Sequence, residues 1–311
     1  MTITREAISR AAQRIAPHVR RTPVIDVTLD GIARPVTLKL ELLQHSGSFK
    51  ARGAFNTLVG RDPQGPGVAA ASGGNHGAAA AYAARALGHR ARIFVPEISS
   101  PAKVKKIASY GAEIVQQGKT YYEALALCEA YIAETGALSI HAYDAPATLE
   151  GQGTLARELE DQSPDLDTVL VAVGGGGLIG GIAAWYQGRV KVVGVEPESC
   201  NTLHAALSAG DRVTIAPSGL AVDSLGASRV GELMFPIARA HIDQVVLVGD
   251  DDIRRSQRHI WQVLQLISEP GGATALAALL TGAYRPEKDE RVCVILCGAN
   301  TTLEAFRDTV G

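Results

Sequence analysis

Cysteine is scarce in this chain: Cys128, Cys200, Cys293 and Cys297 are all it has. Thiols so few and so scattered exclude a disulfide framework, and a reduced, cytoplasmic protein is expected. Net charge is equally slight, -2 at pH 7, so no basic face is implied for nucleic acid or anionic lipid. No apolar run reaches the roughly 18 residues of a membrane span. The opening, "MTITREAISRAAQRIAPHV", is amphipathic and lacks the apolar stretch of a signal peptide. No short repeat or low-complexity tail is visible. His18, His45, His89, His141, His204, His241 and His259 show no H-E-x-x-H or similar metal spacing. What remains is ordinary globular composition, 46% hydrophobic over 311 residues, enough for two domains.

Apolar runs that read as buried strands alternate with Ala-rich helical stretches. Strands are predicted at 36–41, 67–71, 91–96, 112–117, 167–173, 190–196, 244–248 and 291–297. The alternation predicts an α/β protein with open, mostly parallel twisted sheets flanked by helices, and ligands gathering beyond the carboxyl ends of the strands. "GRDPQGPG" (60–67) reads as a hinge and "HAYDAPATLEGQG" (141–153) as the return crossing. Together they predict a large domain of residues 1–60 and 145–311. A small mobile domain, residues 61–144, is inserted in it and carries the loop from Ser72 to His76.

Four stretches carry the chemistry. In "SGSFKARGA" a single lysine, Lys50, stands where loop turns into helix. A surface lysine needs no such setting, whereas one that bonds to a cofactor does. In "ASGGNHGAAAAYAA" (71–84) glycines and a helix start offer free N–H groups to an anion, beside Ser72, Asn75 and His76. Either Ser or Asn alone also serves as a helix cap. In "VLVAVGGGGLIGGIAAW" (169–185) the consecutive glycines Gly174, Gly175, Gly176 and Gly177 make a nest of donors for a phosphate. The same loop contains G-x-G-x-x-G (Gly175, Gly177, Gly180), with Glu196 about 20 residues on, so a nicotinamide-dependent oxidoreductase is a rival reading. In "RVCVILCGANTT" (291–302) Cys293 reads as core and Cys297 stands at the strand's carboxyl end.

Taken together with "RRTPV", "ELLQHSGSFKARGAFN", "PAKVKKIASYGAEIV", "EGQGT", "VVGVEPES", "ELMFPIA", "SEPGGATALAAL" and "CGAN", these stretches resemble the fold type II (β-family, tryptophan synthase β-like) pyridoxal-phosphate enzymes. The likeness is greatest to the serine/threonine dehydratases (threonine ammonia-lyases) and their serine racemase relatives. It implies pyridoxal 5'-phosphate as cofactor, held by Lys50 as a Schiff base. It also implies Phe49 against the pyridine ring, Gly219 near the other face, Asn75 on the 3′ oxygen, Gly174 to Gly177 on the phosphate and Cys297 at the ring nitrogen. Ser72, Gly73, Asn75 and His76 lie where the family receives the substrate carboxylate. The implied reaction is dehydration and deamination of a 3-hydroxy amino acid, L-threonine or L-serine, to a 2-oxo acid and ammonia, by a homodimeric lyase.

Several positions depart from that pattern. Gly73 replaces the serine that racemases use as a second base, which argues against racemisation. Thr202 stands where metal-binding members place an acid, leaving Glu196 as a weak metal candidate. Ser218 replaces an acid common in threonine dehydratases, which keeps phenylserine and hydroxyaspartate open as substrates, with β-replacement the nearest other reaction. The chain stops soon after "CGAN", so isoleucine feedback through a C-terminal regulatory domain is not expected.

Overall fold

The computed structural model describes residues 2–310. Each apolar run becomes a strand, and two further strands join them. The strands are β1 (Val24–Val27), β2 (Val36–Lys39), β3 (Val68–Ala71), β4 (Ala91–Val95), β5 (Glu113–Gln116), β6 (Leu138–Ser139), β7 (Thr168–Ala172), β8 (Lys191–Pro197), β9 (Gln244–Val248) and β10 (Val292–Ile295). They form two sheets. One is six-stranded, in the order β1-β2-β10-β7-β8-β9; the other is four-stranded, in the order β5-β4-β3-β6. Only the β1–β2 pair is antiparallel.

Val169, Leu170 and Val171 on β7 and Val192 and Val193 on β8 are fully buried. Their unbroken apolar run, without alternation, follows from burial on both faces of a parallel sheet. Each such side chain stabilises the fold by roughly 1.5–3 kcal/mol relative to exposure. Behind the sheet, the helix Pro146–Gln162 packs against the helices Lys50–Leu58 and Gly177–Tyr186. The approach is close: a Cβ on Gly151 would lie 2.7 Å from the Arg52 carbonyl, and one on Gly181 2.5 Å from that of Leu149. The "EGQGT" motif is therefore a helix-packing device.

A buried ionic cluster fastens the same helices to β2. Arg52 donates to both carboxylate oxygens of Glu41, at 2.9 and 2.7 Å, and to Glu158 at 3.0 Å. Lys39, fully buried, donates to Glu158 at 2.5 Å and to the Thr22 carbonyl at 2.8 Å. With the charges paired and hydrogen-bonded, burial is tolerated. Two residues from Lys50, this cluster fixes the helix that carries it.

Candidate active site

Lys50 is the first residue of its helix and follows an irregular turn in which Ser46 and Gly47 both have positive φ, 60° and 81°. The turn is stitched to the end of β10: the Phe49 amide donates to the Cys297 carbonyl at 3.2 Å, and Ser48 bridges to Gly298. "SGSFK" thus delivers the lysine beyond the carboxyl end of the central strands. Its Nζ donates to the carbonyl of Ala142, in the return crossing, at 2.7 Å. Burial lowers the Lys50 amine from an ordinary 10.5 to about 8, with partial compensation from Cys297 and Glu269.

Gly174 to Gly177 line the same cavity as Lys50. Gly176, at φ 90°, turns the chain from β7 into the helix Gly177–Tyr186. Among the described residues none of the four amides of this loop donates to a protein acceptor. Side chains are excluded from the loop on every side. A Cβ would strike Leu225 from Gly174, Tyr143 from Gly175 and Gly177, and Met234 from Gly176. Unpaired donors at a helix N-terminus fit a phosphate, and a partly neutral amine on the same cavity fits an aldehyde.

Asn75 also lines this cavity and begins the helix Asn75–Ala86. Its Nδ2 donates to Oε1 of Glu269 at 2.5 Å, and its Oδ1 accepts from Nδ2 of Asn300 at 2.5 Å. Glu269 is buried, and burial raises its carboxyl to about 7. Cys297 is buried too; its thiol donates to the Gly271 carbonyl at 3.5 Å, and burial pushes its ionisation well above the usual range. The site therefore holds a neutral thiol.

The cavity brings together Phe49, Lys50, Asn75, Gly174 to Gly177 and Cys297. Gly219 is not among the residues lining the cavity; a Cβ there would lie 2.3 Å from Ser199 Oγ and 2.9 Å from an Asp250 carboxylate oxygen. With φ 83° it serves a turn, and Ser224 and Leu225, in the short helix Val222–Leu225 that follows, line the cavity. Ser72, Gly73 and His76 flank the cavity without lining it. Ser72 Oγ accepts from the Gly74 amide at 3.1 Å. The His76 ring is buried with Nε2 on the Ile140 carbonyl at 2.8 Å, and burial pushes its pKa down to about 3. It anchors the loop as a neutral ring.

Glu196 stands near the end of β8, outside the lining of this cavity. Its two carboxylate oxygens accept from the amides of Leu203 and His204, both at 2.8 Å, so it caps the helix Thr202–Ala209. Burial raises its carboxyl to about 8. The third fingerprint glycine, Gly180, packs against Met234, where a Cβ would come within 2.8 Å, so the G-x-G-x-x-G spacing comes from packing as well as from the loop. Sequence reasoning missed Glu269, Tyr143, Ser224, Leu225 and Asn300. The one signal for Glu269 was an acid directly before the Pro-Gly-Gly that opens the helix Pro270–Thr281.

Residues 15–298 match the family described as pyridoxal-phosphate dependent enzyme. The chain is 37% identical to a phenylserine dehydratase of Ralstonia pickettii, over 98% of this chain and 95% of that one. It is 35% identical to an L-threonine ammonia-lyase of Geobacter sulfurreducens, over 96% of this chain and 76% of that one. The solved structure of maize serine racemase superposes with a TM-score of 0.93 at 31% identity, covering 99% of this chain and 97% of the other. Likeness of this extent, over a cavity whose free amides and lysine suit the cofactor, makes the chain a member of the pyridoxal-phosphate dependent enzyme family, with pyridoxal phosphate as its cofactor.

Proposed function

We propose that this enzyme is an ammonia-lyase that dehydrates and deaminates a 3-hydroxy amino acid, L-threonine or L-serine, to a 2-oxo acid and ammonia. Bound pyridoxal phosphate supplies the electron withdrawal that makes the Cα–H bond of a substrate amine acidic. Lys50 is the single observation that carries the reading. With its pKa lowered to about 8, part of the population is neutral near pH 7, and a neutral amine at this place removes the Cα proton. The amides of Gly174 to Gly177 hold the phosphate, and the backbone around Ser72 to Asn75 receives the substrate carboxylate. Phe49 packs against the ring.

A neutral thiol such as Cys297 would offer the ring nitrogen of the bound cofactor no carboxylate partner, and the cofactor would then supply a shorter-lived carbanion sink, which suits loss of a β-hydroxyl. Phenylserine and hydroxyaspartate are the other candidate 3-hydroxy substrates. β-Replacement needs a second, nucleophilic substrate. A panel of threonine, serine, phenylserine and hydroxyaspartate, with ammonia and the 2-oxo acid identified by mass, tests the reading. Release of ammonia with 2-oxobutanoate from threonine supports it; absence of any 2-oxo acid across the panel overturns it.

The same reading includes motion. Residues 61–144 form a small lobe that closes on the rest, supported by contacts across the cleft. Lys103 donates to Asp223 at 2.8 Å, and the Tyr122 hydroxyl pairs with Ser228. Identical solution-scattering profiles with and without a substrate analogue would contradict closure. A cytoplasmic homodimer completes the proposal. All four cysteines are free and buried, which suits a reducing compartment, and a single-chain mass in solution would remove the dimer. Among the described residues no helix is long and apolar enough to cross a membrane.

A further inference from the structure

Around Asn75 runs a chain of side chains that alternates between the two sheets. Lys106 is in the helix Pro101–Ser109, which follows β4, and Asn75 follows β3. Asn300 follows β10, and Glu269 precedes a helix packed on the six-stranded sheet. The Lys106 ammonium has only hydrogens to give, and it gives one to Oδ1 of Asn300. That fixes the other end of Asn300 as a donor, Nδ2, which reaches Oδ1 of Asn75 at 2.5 Å. Asn75 is then obliged to turn its Nδ2 toward Glu269, Oε1 lying 2.5 Å away. Donation runs one way, from cation to carboxyl, and neither amide is free to flip.

The chain also touches the turn that carries the reactive lysine. A Cβ on Gly47 would lie 2.4 Å from Oδ1 of Asn300 and 3.3 Å from Nζ of Lys106. The neighbouring cations take no part in this chain, since Lys103, one turn earlier, is held by Asp223, and Lys105 is exposed.

We infer that Lys106 and Asn300 are positioning residues that orient the Asn75 amide so that its second N–H faces the cofactor's phenolic oxygen. An amide nitrogen carries two hydrogens. Glu269 takes one, and the other is left for the cavity that Asn75 lines. A chain of donors headed by a cation polarises each bond in turn, which strengthens the last donor. The inference rests on the family's cofactor and is independent of which amino acid is the substrate.

Asn300→Asp is the sharpest probe. An aspartate still accepts from Lys106 but has no hydrogen to give Asn75, so it breaks the direction while keeping the shape. It is compared with Lys106→Met, Lys106→Arg and the exposed control Lys105→Met. Each holoenzyme is examined by absorption spectra across pH and by cofactor affinity in equilibrium dialysis. Asn300→Asp and Lys106→Met are expected to weaken cofactor affinity about ten-fold, the cost of one hydrogen bond to a charged group. Both are expected to move the absorption balance from the visible toward the near ultraviolet, as the phenolate loses its donor. Lys106→Arg restores both readings, and Lys105→Met matches the unaltered protein. Unchanged bands and affinity in Asn300→Asp and Lys106→Met overturn the inference. So does a fall in melting temperature with an unchanged spectrum, or a Lys106→Arg enzyme no better than Lys106→Met.

Discussion

A Cβ placed on Gly73 would lie 2.2 Å from Oγ of Ser99 and 2.9 Å from its Cβ, so no side chain fits at this position while Ser99 keeps its place. The loop thus lacks both a second proton carrier and the room for one. Gly73→Ser alone is expected to leave serine enantiomers unexchanged, whereas Gly73→Ser combined with Ser99→Gly opens the space in which exchange can begin. Chiral chromatography after incubation in deuterated water reads the outcome. Racemisation by the unaltered enzyme would contradict this account of the loop.

Cys297 donates to the Gly271 carbonyl from a fully enclosed position, and burial keeps it protonated. Its proposed role needs only a neutral, weakly polar group. Cys297→Ser is accordingly expected to keep turnover within a few-fold. Cys297→Asp adds a carboxyl near Glu269 and the ring nitrogen, and should slow water loss on the order of tenfold or more. Stopped-flow kinetics with threonine separates the two. Equal rates for both variants would remove the thiol from the reaction.

Acid should unfold this protein partly through His76. Burial holds the ring at about 3 when folded, against 6.5 ordinarily. The unfolded chain takes up a proton near pH 6.5 and the folded chain does not, so stability is intact above that pH. It is lost as pH falls from 6.5 toward 3. For this residue the loss between pH 6.5 and 5 is about 2 kcal/mol. His76→Gln retains a donor for Ile140 and removes the titration. Urea midpoints at the two pH values should differ less in the variant than in the unaltered protein, and an equal difference would count against the assignment.

Arg52 and Glu41 form a bidentate pair, each about 99% or more removed from solvent. Arg52→Met strands the Glu41 carboxylate and should cost about 3–5 kcal/mol. Adding Glu41→Gln should recover part of it, because the unpaired charge is the larger penalty. Denaturant unfolding of both variants measures this. A loss under about 1 kcal/mol in Arg52→Met would mean that the pair does not brace the helix carrying Lys50.

Apolar runs announced the central strands β7, β8 and β10 because strands buried on both faces leave no alternation to misread. β1 escaped because its "VIDV" is half exposed at a sheet edge, and β6 because it is only two residues long. Lys50, Asn75 and the four-glycine loop were legible because each stands at a strand-to-helix or loop-to-helix junction with its own local signature. Glu196 and Gly219 show what local sequence leaves open. Local sequence cannot say whether a strand-end acid meets a ligand or a helix start, nor which turn of a long loop reaches the cavity. Asn300 and Lys106 carry no local signal, and Glu269 only the acid before Pro-Gly-Gly, since their meaning lies in contacts between segments up to 225 residues apart.

The most direct test reduces the purified holoenzyme with borohydride, digests it and maps the pyridoxyl group by mass. The expected result is a single modified peptide carrying the group on Lys50. An unmodified Lys50, or a group on Lys39 or Lys106 instead, would contradict the central claim.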